Sequence, residues 1–79
     1  MSNAVEDAQA QVAEAESAVA GAEANVKQAQ VELLAARRGP AQADVEQAQV
    51  KAKQAEVELL AAQGKLKTAQ EKLRDAQGS

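Results

Sequence analysis

Val5, Val12, Val19, Val26 and Leu33 recur at seven-residue intervals, and an alanine stands three residues after each: Ala8, Ala15, Ala22, Ala29 and Ala36. Lettering each heptad a to g, these are the a and d positions of a coiled-coil seam. The seam returns later in the chain as Val45, Ala52, Leu59, Leu66 and Leu73, with Ala48, Ala55, Ala62, Ala69 and Ala76 at d. A period of seven sustained this long excludes strands, which need a period of two. It also fixes which side of each helix faces a partner.

The two halves do not belong to one helix. Continuing the first register would place Pro40 and Gln47 at a positions, whereas the seam restarts at Val45. Proline cannot continue a helix, and a glycine at the position before it suits the left-handed C′ site that ends one. The pattern therefore predicts an all-α fold of two long antiparallel helices, a coiled-coil helical hairpin with an Ala-rich seam. Helix 1 is expected over about 4–38, the turn over 39–40 and helix 2 over about 41–77. Each helix would be roughly 50 Å long at 1.5 Å per residue. Residues 1–3 and 78–79 are expected to be tag remnants.

A short connection makes the helices antiparallel neighbours, and the register can then be counted. When facing positions sum to 81, Val5 meets Ala76, Ala8 meets Leu73, Val26 meets Ala55 and Leu33 meets Ala48. Large opposes small at every layer except Ala29–Ala52. Such complementarity suits backbones near the lower end of the usual helix separation of about 8–10 Å. Glu6 and Asp7, Arg37 and Arg38, Asp44 and Glu46, and Lys72 and Arg74 stand near helix ends with the signs that complement the helix dipoles. Glu32 and Lys51 fall where they can pair across the seam. A further regularity is the return of VKQAQVELLAA at 26–36 as AKQAEVELLAA at 52–62 in the same heptad positions. Shared helical constraints and duplication of a helical unit both account for it.

Composition narrows the chemistry. The chain has 79 residues, no aromatic residue, no cysteine and no histidine. General acid–base, nucleophilic and metal chemistry usually draw on His, Cys or convergent carboxylates. Here Glu14/Glu16 and Glu56/Glu58 are two residues apart, so each pair diverges around its helix. The sequence therefore reads as not an enzyme and calls for no cofactor and no metal. The lysines of helix 2 are offset by six acids, and no ring is available to stack on a base, which speaks against nucleic acid. No apolar run approaches the roughly 18 residues of a membrane span, and most of the large apolar side chains are used in the seam rather than on a lipid-facing side.

One group of residues is surplus to a hairpin. Val31, Val50 and Val57 fall at f positions, which point away from the partner helix, with Ala24 and Ala43 on the same faces. Leu34 and Leu60 fall at b, also off the seam. They gather in the half nearer the turn. Val31, Leu34, Val50, Val57 and Leu60 are accordingly the candidates for lateral packing against neighbouring hairpins or another helical partner.

With the turn in view, Leu34-Ala35-Ala36-Arg37-Arg38-Gly39-Pro40-Ala41-Gln42-Ala43-Asp44-Val45 resembles the tip of the α-helical hairpin in HlyD-type membrane fusion proteins. These are the periplasmic adaptor subunits of bacterial efflux and type I secretion systems. Many carry a turn similar to L-x-A-G-P-R-P-E-D-I between two Ala/Gln-rich helices. Gly39, Pro40 and Asp44 match it, and Val45 stands where Ile is common. Ala41 and Gln42 replace the arginine and second proline of that turn, and the Arg-Leu-Ser/Thr tip pattern of many adaptors is absent. The resemblance implies a rigid strut that assembles side by side with its copies and bridges an inner-membrane transporter to an outer-membrane channel or a neighbouring adaptor. The transporter would be met through parts of a parent protein that lie outside this chain. The location implied is periplasmic, or extracytoplasmic in a Gram-positive organism, with no direct membrane contact by the hairpin. Arg37, Arg38, Gly39, Pro40, Ala41 and Gln42 would form the partner-contacting tip. The alternative is a structural coiled-coil spacer, or a designed hairpin, with no transport role.

Overall fold

The structure, a computed structural model, describes residues 3–78. Met1, Ser2 and Ser79, part of the expected tag remnants, lie outside the described residues. Two helices make up the fold: α1 over Ala4–Arg38 (35 residues) and α2 over Gln42–Gly78 (37 residues). They pack against each other as a rod of 61 × 15 × 13 Å. Helices of this length span about 52 and 56 Å at 1.5 Å per residue, so the rod is one helix long and the chain is folded back once.

Burial follows the heptad count. Every a and d position from Val5 to Ala36 and from Val45 to Ala76 is buried or half-buried. Off the seam, Glu32 is the one described residue that is not fully exposed. Ala29, Ala52 and Ala55 form a buried cluster with Val26 packed against it, which is the pairing expected when facing positions sum to 81. The buried residues are all alanines, Ala8, Ala29, Ala48, Ala52, Ala55 and Ala69, each 6–9% exposed, while the valines and leucines of the seam keep part of their surface in water. A two-helix rod has no third element to close over a large side chain. Only a methyl group near the seam axis is short enough to be covered from both sides.

Four details of the helix ends bear on the sequence reading. First, no described glycine has a positive φ, and Gly39 sits at φ −90°, ψ 166° rather than in the left-handed region. The cause is its neighbour: the ring of a proline pushes the residue before it into extended backbone. Gly39 still closes α1, because its N–H donates to the Ala36 carbonyl at 3.1 Å. Second, α2 begins at Gln42 and ends at Gly78, one residue later at each end than expected, so the turn comprises residues 39–41.

Third, the later end of α2 leaves no basic residue in its last turn, and Asp44 is the one acidic residue in its first. Lys72, Arg74 and Glu46 therefore stand outside the terminal turns, where the dipole effect has fallen off. Glu6, Asp7, Arg37 and Arg38 do lie in the terminal turns of α1. Fourth, Asn3 has a structural task despite its place among the expected tag residues. Its Oδ1 accepts from the Val5 and Glu6 N–H groups at 3.0 and 3.2 Å, and its carbonyl accepts from Asp7 at 3.0 Å. That is an N-cap, and it satisfies donors at the helix start that have no partner within the helix.

Candidate interaction surfaces

The turn end of the rod is built by three local choices. Arg37 and Arg38 close α1, where cations are stabilised by the carbonyl end of the helix. Gly39 then runs extended into Pro40, and Ala41 starts the return by accepting the Asp44 N–H at 3.2 Å. Arg37, Arg38, Gly39, Pro40, Ala41 and Gln42 are thereby brought together at one tip, and all six are exposed. The tip presents two guanidinium groups on a short, stiff support, with no apolar side chain larger than proline. Such a surface suits a carboxylate-bearing partner, since a planar guanidinium can grip a carboxylate with two parallel hydrogen bonds.

The second surface lies along the sides. Val31 (65% exposed), Leu34 (55%), Val50 (58%), Val57 (64%) and Leu60 (68%) are the large apolar residues left open to solvent. The heptad count places them on two outward faces rather than on one patch: Val31 and Leu34 on α1, Val50, Val57 and Leu60 on α2. Val50 also borders an open groove of about 580 Å³ along the seam, lined by Leu33, Arg37, Gln49, Lys53 and Glu56 among others. The opposite flank carries the one ion pair that bridges the helices among the described residues, Lys51 Nζ to Glu32 Oε2 at 3.4 Å. The Lys51 side chain is 68% exposed and that of Glu32 42%, so the pair is open to solvent and its contribution is within about 1 kcal/mol. Its value is diagnostic, because it places the two g positions of the heptad on the same side of the rod.

No three metal-ligating side chains converge among the described residues, and no helix there is long and apolar enough to cross a membrane. The grooves are open to solvent along the rod. The residues that the sequence count assigned to the tip and the sides are exposed; it missed Asn3, whose Asn-x-x-Glu spacing to Glu6 is a start signal of the Ser/Thr/Asn/Asp kind.

Fold and surfaces together define a class, an antiparallel two-helix coiled coil with an exposed tip and outward apolar faces. No family model, curated protein or solved structure matches the chain. The likeness to HlyD-type hairpins therefore rests on the turn residues and on the Ala/Gln-rich helices around them.

Proposed function

We propose that this chain is the hairpin segment of a periplasmic adaptor of the membrane fusion type, a strut that bridges an inner-membrane transporter to an outer-membrane channel or partner adaptor. The observation that carries the reading is the placement of its surplus residues. A hairpin that served only itself would spend its large side chains in the seam. Here five of them point outward, and two arginines stand at the tip. Isolated apolar residues on a surface are ordinary, but five on a rod this narrow leave little of the turn-proximal half without one.

The mechanism that follows is mechanical rather than chemical. The closed turn and the continuous helices transmit position along 61 Å, with the tip engaging a partner and the outward faces taking helical neighbours. Transport energy would come from a separate transporter, through parts of the parent protein.

The deciding experiment is to read the parent gene on both sides of the hairpin. The adaptor reading expects half of a lipoyl-like motif before residue 4 and the other half after residue 77. Unrelated flanking sequence would sink it and leave a coiled-coil spacer. Under the adaptor reading, the Arg37→Glu/Arg38→Glu variant keeps its helicity and loses export. Full export by that variant would remove the tip from the docking role.

A further inference from the structure

α1 carries a second seam on the side facing away from α2. Positions f and b repeat the a/d spacing there, and among the described residues all of them are exposed. From Ala10 to Leu34 this stripe is apolar or small except at Lys27. The same positions of α2 are interrupted by Glu46, Lys53, Lys67, Glu71 and Arg74.

The charges of α1 are also segregated along its length. Residues 4–25 hold five carboxylates, Glu6, Asp7, Glu14, Glu16 and Glu23, and no cation. Residues 26–38 hold Lys27, Arg37 and Arg38 against Glu32, so the two segments carry −5 and +3 − 1 = +2. The six acids and six bases of α2 cancel.

We infer that a second copy of this chain docks on the outer face of α1, antiparallel and about a twofold axis. When facing positions of the two α1 helices sum to 44, Ala10 meets Leu34, Ala13 meets Val31 and Ala20 meets Ala24. Large opposes small in the outer layers, Ser17 meets Lys27, and the layers beside the axis are alanine on alanine. The same register sets Glu6 level with Arg38 at both ends of the contact. A parallel arrangement of the two α1 helices would instead lay five carboxylates against five. The symmetry is self-consistent, since each pairing occurs twice, as an isologous contact requires.

One like-charge meeting remains, Glu23 beside its own symmetry mate near the axis. The whole contact, from Glu6 to Arg38, is about 48 Å long, and at a width of ~10 Å it covers roughly 500 Å² per partner, the low end for a specific interface. A weak, reversible dimer is what such an area supports. The pairing sets the two turns at opposite ends. It belongs to the free hairpin and does not rest on the adaptor reading.

Sedimentation of the 79-residue chain tests the association, and cysteine pairing tests the register, since the native chain has no thiol. The parent is expected to form dimers that weaken by on the order of tenfold or more in the Ala20→Glu/Ala24→Glu variant, with helicity unchanged. Glu23→Gln should tighten them. An Ala10→Cys chain mixed with a Leu34→Cys chain should crosslink across the pair under mild oxidation, whereas neither variant should crosslink with itself. A parent that stays monomeric up to millimolar concentration overturns the inference. So do dimers indifferent to the double glutamate change. Crosslinking of the Ala10→Cys chain with itself, or of the Leu34→Cys chain with itself, overturns it too, because either marks a parallel contact.

Discussion

Replacing Gly39 by alanine separates two accounts of the turn by the sign of the effect. A glycine that ends a helix in the left-handed region resists substitution, because a side chain there costs about 1–2 kcal/mol. Gly39 is instead extended, at φ −90° and ψ 166°, a conformation any residue adopts. A Cβ placed on it would meet the Ala36 carbonyl oxygen at 3.6 Å, an ordinary contact, and its N–H would keep the 3.1 Å bond to the same oxygen. The folded state therefore loses nothing, while the unfolded chain loses the freedom that glycine gives it. The net expectation is stabilisation by about 0.4–1 kcal/mol. For a chain of this size 1 kcal/mol corresponds to roughly 4–8 °C in Tm, so Gly39→Ala should melt about 2–8 °C higher. Thermal unfolding followed by circular dichroism, repeated across concentrations to hold self-association constant, reads this directly. A fall of several degrees would refute the extended-turn account and restore the left-handed cap.

Ala41 precedes α2 with no side-chain acceptor to offer, whereas Asn3 takes two N–H groups at the start of α1; Ala41→Asn should add about 0.5–2 kcal/mol and Asn3→Ala should remove a similar amount, both read by denaturant titration. Gly21 and Gly64 lie inside helices, and a methyl group added at either would meet nothing within 4 Å. Alanine at each should therefore stabilise by about 0.5–1 kcal/mol, and a loss at either site would reveal a close contact there. Ala55 is buried beside Ala29, Ala52 and Val26, whereas Ala22 is only half-buried. Leucine at 55 should overpack the seam by about 1–3 kcal/mol and cost more than leucine at 22; equal melting temperatures for the two would count against alanine-mediated closeness.

The heptad count carried far in this chain because each residue has so few places to be. In a two-helix rod the seven positions assign every side chain to the seam, a flank or the outside. That is why Ala29–Ala52, Glu32–Lys51 and the five exposed aliphatics were legible from spacing alone. The ends were less legible because two local rules compete there. At Gly39 the preference for a left-handed glycine cap meets the restriction imposed by Pro40, and the proline prevails since its ring acts on the backbone directly. At Asn3 a residue expected to belong to a tag lies within reach of unsatisfied amides, which composition does not reveal. What covers the tip and the outward faces is a different kind of question. Val57 and Leu60 face outward on α2, with no residue of the hairpin across from them to record a partner.

The alanine-only interior also determines how the rod responds to force. Each layer touches only the layers directly above and below it, and the helix ends at Ala4 and Gly78 lie at the end opposite the turn. Tension between Ala4 and Gly78 would thus peel the seam open one layer after another, like a zip, instead of loading all layers at once. Compression along the axis meets two continuous helices and a tip fixed by proline. The same molecule is stiff when pushed and yielding when its ends are drawn apart.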